Sequence, residues 1–188
     1  MLFRSPYTAT LAGLTSGTTY SIRALVTDTA GNTVTSALST TSGKITVDTT
    51  APTVGTLTMT TTDDGSSSSD GIIGTLTPAF SLASASDTSY TGTGAATAGI
   101  ASVVLQVSTN GSTWTDNATF TAPTSPATAY TVTASPALST NGTYSIRALV
   151  TDTAGITSTA ALSTTNGRIT VDTTAPTAGT LTMTSTED

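Results

Sequence analysis

The strongest constraint on this chain is that it repeats itself. From Tyr20 it reads YSIRALVTDTAGNTVTSALSTTSGKITVDTTAPTVGTLTMT, and from Tyr144, at an offset of 124 residues, it reads almost the same again. Only six of the 41 positions differ: Asn32/Ile156, Val34/Ser158, Ser36/Ala160, Ser42/Asn166, Lys44/Arg168 and Val54/Ala178. Such self-similarity marks stacked structural units, so a tandem array is expected. Within the repeat, Asp-Thr-Thr-Ala-Pro-Thr joins turn-forming residues to a proline that fixes its own φ and restricts the residue before it. That is the composition of a short, stiff joint. Dividing the chain at Thr50 and Thr174 gives the last part of one unit (1–50), a complete unit (51–174) and the first strand of a third (175–188).

The units read as all-β. Thr is abundant and β-branched, the strong helix formers are scarce, and only 9% of residues are charged. Period-two alternation places Leu57 and Met59 on one face of a strand and Thr56, Thr58 and Thr60 on the other. The same rule turns Val103, Leu105 and Val107 inward, then Tyr144, Ile146, Ala148 and Val150, then Ile169 and Val171. Asn110-Gly111 is a hairpin signal, because both residues tolerate positive φ. With further strands at 78–82 and 129–133, the complete unit has about seven, the number of a two-sheet antiparallel β-sandwich. Residues 83–99, rich in Ser, Thr, Gly and Ala, read as a long loop.

Several segments carry a resemblance. Leu14-Thr-Ser-Gly-Thr-Thr-Tyr20 and Leu138-Ser-Thr-Asn-Gly-Thr-Tyr144 are similar to the tyrosine corner of fibronectin type III domains, in which a Tyr hydroxyl ties the chain back as it enters a strand. The continuation Tyr-Ser-Ile-Arg-Ala-Leu-Val-Thr-Asp-Thr-Ala-Gly, ending in Ile-Thr-Val-Asp-Thr-Thr-Ala-Pro, resembles the bacterial Ig-like repeats of giant adhesins, as does the segment from Gly99 to Trp114. The matches cover about two thirds of the chain. The single Trp follows the Asn-Gly hairpin instead of lying in an early core strand, and the 124-residue period is long for fibronectin type III, so the bacterial Ig-like label fits better. The resemblance implies an Ig-like (fibronectin type III-like) sandwich, a cell-surface or extracellular setting, and calcium stiffening at module junctions.

Chemistry is limited by the residues the sequence omits. It has no His and no Cys, which removes the commonest general base, the thiol nucleophile, any disulfide and most transition-metal sites. The expectation is a protein that is not an enzyme. Five cations, Arg4, Arg23, Lys44, Arg147 and Arg168, against eleven acids give a net charge of −6 and no basic stripe for nucleic acid. No run approaches the roughly 18 apolar residues of a spanning helix, so no membrane insertion is expected. The N-terminal residues lack the apolar core of a signal peptide, and an exported protein would carry its signal outside this sequence.

The carboxylates read as hard oxygen ligands for calcium, which takes six to eight oxygens. The candidates are Asp63, Asp64 and Asp70 in the first loop, Asp48 and Asp172 at the joints, and Asp28 and Asp152 in the loop before the last strand. Asp63, Asp64 and Asp172 are expected to converge at the bottom of the unit, while Asp152 approaches the preceding joint from the top of the next. The competing reading is that Asp48 and Asp172 only close Asx-turns with nearby amides. The functional expectation is a structural spacer repeat of a secreted or surface adhesin, whose partners are neighbouring repeats. Alternatives are a carbohydrate-binding or other ligand-binding module, with Trp114 as a stacking surface, and self-association into a filament by strand addition.

Overall fold

The computed structural model describes residues 7–39, 43–60, 70–87, 99–124, 128–139, 141–164 and 167–183. These residues are all-β, with no α-helix among them. In chain order the strands are β1 (Thr19–Ser21), β2 (Arg23–Thr27), β3 (Thr33–Ala37), β4 (Lys44–Thr46), β5 (Thr53–Val54), β6 (Leu57–Met59), β7 (Ile72–Ile73) and β8 (Ala79–Leu82). They continue with β9 (Ala85–Ser86), β10 (Ile100–Ser108), β11 (Thr115–Thr119), β12 (Tyr130–Thr133), β13 (Gly142–Asp152), β14 (Thr157–Ala161) and β15 (Arg168–Val171).

Strand β13 organises the larger sheet. Its period-two alternation buries Tyr144, Ile146, Ala148, Val150 and Asp152 on one face. One edge pairs antiparallel with β10, setting Leu105 against Ala148 and Val103 against Val150. The other edge pairs with β14 and then β15. β11 extends the sheet beyond β10, and β7 closes the far side by running parallel to β15. A second, three-stranded sheet has the order β12-β8-β6. Buried side chains from both sheets form one core: Leu57, Phe80, Leu82, Tyr130 and Val132 from the smaller sheet meet Leu105, Ile146, Val150, Ile169 and Val171 from the larger. Each fully buried residue of this size contributes about 1.5–3 kcal/mol.

The first loop approaches β15 closely. Gly71, at φ 76°, accepts a hydrogen bond from Thr170 N at 2.7 Å, and a Cβ there would lie 3.1 Å from Arg168 O. Gly55 marks a tighter place, where the chain stops pairing with β9 through β5 and starts pairing with β8 through β6. Its N–H donates to Ser84 O at 2.8 Å, and a Cβ would lie 2.7 Å from Ser84 Oγ and 3.0 Å from Ser84 N.

The sequence repeat is also a repeat of pairing. Thr19 faces Thr46 as Thr143 faces Thr170, and Arg23 faces Ala37 as Arg147 faces Ala161. The surroundings differ. Val26 is 43% exposed where its counterpart Val150 is 0%, because β2 pairs only with β3 whereas β13 also has β10 beside it and the second sheet across the core.

The structure corrects one expectation from the sequence. Residues 83–99 are not loop throughout: Ala85–Ser86 form β9, held antiparallel to β5, and Asp87 beyond it is buried. The alternating Ala-Ser-Asp was masked by small, polar composition.

Two outcomes are expected from these contacts. Gly55→Val displaces the Ser84 backbone and lowers stability by about 1–3 kcal/mol, measured by urea unfolding. Tyr130 is buried and its hydroxyl has no hydrogen-bond partner among the described residues, so Tyr130→Phe leaves stability unchanged or raises it. Burial also pushes the Tyr130 hydroxyl above the ordinary phenol value of 10.0. The folded chain therefore keeps a proton that the unfolded chain loses, so this group's contribution is full below that value and declines as pH rises past it. In Tyr130→Phe the alkaline decline of the melting temperature is shallower than in the parent.

Candidate metal centre

The inward row of β13 does not end on an apolar residue. Period two places Asp152 on the same face as Tyr144, Ile146, Ala148 and Val150, at 1% exposure. A carboxylate there costs several kcal/mol in lost hydration unless donors or a cation compensate it. Compensation is partial. Oδ1 accepts the N–H groups of Ala154 at 2.8 Å and Ile156 at 2.9 Å, closing the turn into β14, while Oδ2 is buried without a hydrogen-bond partner among the described residues.

Two more acids arrive at the same place. Asp87 follows β9 and is 5% exposed, its position fixed by the pairing of β9 with β5. Asp48 comes from the joint that precedes β5. Its Oδ1 accepts Thr50 N at 2.9 Å, an Asx-turn, and lies 3.5 Å from Ser16 Oγ, which in turn accepts Thr49 N at 2.9 Å. One carboxylate oxygen each from Asp48, Asp87 and Asp152 lies within 4.8 Å of the other two. Two ionised carboxylates at such a separation repel by roughly 3 kcal/mol at an effective dielectric near 20. An all-oxygen donor set, with no nitrogen or sulfur, matches hard cations such as calcium.

The other copy of the repeat shows how such a carboxylate is satisfied without an ion. Asp28 Oδ1 accepts Ala30 N and Asn32 N, each at 2.9 Å, and Asn32 Nδ2 donates to Asp28 Oδ2 at 3.0 Å. The Asn32 side chain, followed by its backbone N–H, holds the Asp28 carboxyl below the usual carboxylate range. Ile156 stands where Asn32 would be, so one of the six differences between the copies removes the donor that Asp152 Oδ2 would have used.

Of the residues singled out from sequence, the structure brings Asp48 and Asp152 together. Asp63 and Asp64 lie outside the described residues, so their convergence on Asp172 does too. Asp172 is exposed and stands apart from the group of three. Its Oδ1 accepts Thr174 N at 2.9 Å, repeating the Asp48 turn, and Asn141 Nδ2 at 3.3 Å. Asn141 also accepts Thr173 N and Oγ1, at 3.1 and 2.7 Å, and its amide donates to Thr174 Oγ1 at 2.8 Å, tying the second joint to the turn before β13. Asp87 was missed from sequence.

Trp114 is half-buried, and one face of its ring is occupied. The Arg147 guanidinium sits 4.1 Å from its ring centroid, with Arg147 Nε donating to Gln106 Oε1 at 2.7 Å. Gln106 Nε2 donates to Asp116 Oδ1 at 2.7 Å, completing a polar network over the larger sheet that occupies one ring face.

No protein-family model matches the chain, and a search of curated proteins finds no relative.

The Asn32/Ile156 difference is directly testable. Ile156→Asn supplies the amide to Asp152 Oδ2. In chelator the variant is more stable than the parent by about 1 kcal/mol, measured by circular dichroism melting.

Proposed function

We propose that this chain is a stretch of tandem Ig-like (fibronectin type III-like) modules serving as a structural spacer in a secreted or cell-surface adhesin-type protein, with a calcium ion held at the junction between modules. The observation that carries the reading is the meeting of a joint residue, Asp48, with two buried acids of the unit that follows, Asp87 and Asp152. A cation shared in this way fixes the angle between the module before the joint and the module after it, which a spacer requires and an isolated binding domain does not.

Further features support the module assignment. The strand order β12-β8-β6 is consistent with strands E, B and A of such a sandwich, and β11-β10-β13-β15, which β7 extends and β14 joins through β13, with C′, C, F and G. Thr15 N donates to the Tyr20 hydroxyl at 2.8 Å, five residues upstream, as a tyrosine corner does. The coincident registers of the two copies support a unit repeating every 124 residues. The net charge of −6 favours solubility of an extended array.

The test is thermal unfolding of the 188-residue chain in excess calcium and in chelator. An ion at one hundred times its dissociation constant adds about 2.7 kcal/mol, which raises the melting temperature by on the order of 5 °C or more. Asp87→Asn abolishes most of that increment and, in chelator, melts above the parent because one repulsive charge is gone. Equal melts with calcium and with chelator would overturn the junction ion.

A further inference from the structure

The outward face of the larger sheet gathers a charge that the chain otherwise lacks. Of five cations, four occupy equivalent positions in the two copies of the repeat: Arg147 and Arg168 in the second, Arg23 and Lys44 in the first. Between 51 and 174 no other cation occurs. Arg168 lies directly across from Ser145, as Lys44 does from Ser21, and Arg147 is two residues beyond Ser145 on the same face. The two arginines are therefore diagonal neighbours, roughly 7–8 Å apart at the backbone and within reach of each other's long side chains.

Each guanidinium is positioned without being neutralised. Arg147 lies over Trp114 and commits only Nε to Gln106, so its terminal nitrogens remain as donors. The turn between β10 and β11 comes up beside Arg168: a Cβ at Gly111 would lie 3.7 Å from Arg168 Nη2 and 3.8 Å from Ser145 Oγ. Neither arginine forms an ion pair among the described residues. Asp116 on β11 and Asp70 just before β7 are turned to other donors, Gln106 Nε2 and Ile72 N. Beyond Ser145, Thr143 and Thr170 face each other with hydroxyls 3.2 Å apart, so a row of hydroxyls leads away from the cation pair.

We infer that this face binds an acidic polysaccharide, a sugar carboxylate bridging Arg147 and Arg168 while Ser145, Thr143 and Thr170 meet the ring hydroxyls. Planar guanidinium groups take carboxylates through paired N–H donors. The adjoining hydroxyls, each both donor and acceptor, match the hydroxyls of a sugar better than they match a bare anion. That the ligand is a polymer follows from the repeat: the cation pair recurs after 124 residues, so a chain of uronic acid residues can engage successive units at once. The net charge of −6 makes the remaining surface repel a polyanion, which confines binding to the pair.

The experiment is titration calorimetry of the full chain with an oligogalacturonate, in chelator so that an ion at the Asp48 junction plays no part. The expected result is saturable binding that weakens as salt rises and is absent for the methyl-esterified oligomer. Lys44→Gln combined with Arg168→Gln weakens binding about tenfold or more, whereas the exchange of Lys44→Arg with Arg168→Lys retains it. Both cations are exposed, so neither pair of changes can unfold the core, and unchanged melts verify this. No binding by the parent, equal binding by the double Gln variant, or equal binding of the methyl ester would overturn the inference. So would polyglutamate binding as tightly as the oligogalacturonate, which would assign the face to an acidic peptide.

Discussion

Everything in the larger unit hangs on the alternation of β13. An interior strand must satisfy hydrogen bonds on both edges and bury one face, and these eleven residues do both: β10 lies along one edge, β14 and β15 share the other, and Tyr144, Ile146, Ala148 and Val150 point into the core. A one-residue slip would send Ser145, Arg147, Leu149 and Thr151 inward, so the register is fixed by side-chain chemistry as firmly as by the ladder. The outward row has its own use. Arg147 is anchored by Gln106 from β10 and lies over Trp114 beyond the hairpin, which pins β11 to the sheet from the solvent side.

The same alternation explains why an acid is buried. Asp152 sits inward because it is two residues past Val150, and the turn to β14 needs an acceptor for the Ala154 and Ile156 amides. One oxygen of the carboxylate is thus a turn residue by necessity. The other can take on a different task, and whether it does depends on position 32 or 156. Asn32 closes the first copy on itself, whereas Ile156 leaves the second open toward Asp48 and Asp87. Nearly identical sequences therefore differ in the electrostatics of one oxygen.

Much of the fold was legible because strand parity is a local property. The inward rows at Leu57, Leu105, Tyr144 to Val150 and Ile169 to Val171 follow from period two alone, and each is buried. The parallel pairing of β7 with β15 was not legible, since Ile72-Ile73 is too short to show a period and its partner lies about a hundred residues away. Asp48 was readable as a joint acid, whereas Asp152, expected in a loop, is the last inward residue of β13. Asp87 needed knowledge that β9 pairs with β5 across a Ser-rich segment. Two residues of pairing leave no compositional trace.

The two joints are ordered by different means. Both hold their linker by the same short-range device, an Asp Oδ1 accepting the N–H two residues on, but the tie to the preceding turn differs: Ser16 Oγ at the first joint, the bifunctional amide of Asn141 at the second. Asn141 contacts Asp172, Thr173 and Thr174 at once, which ties the second joint to the turn before β13. At the first joint Asp87 and Asp152 also bring carboxylate oxygens within 4.8 Å of Asp48. A segment clamped by its own short-range hydrogen bonds loses less conformational entropy in any later contact, because most of its dihedrals are already fixed. Local clamping of Asp48 by the Thr50 amide, with Ser16 Oγ on Thr49 N, thus places it beside two like charges without relying on their own energetics to do so.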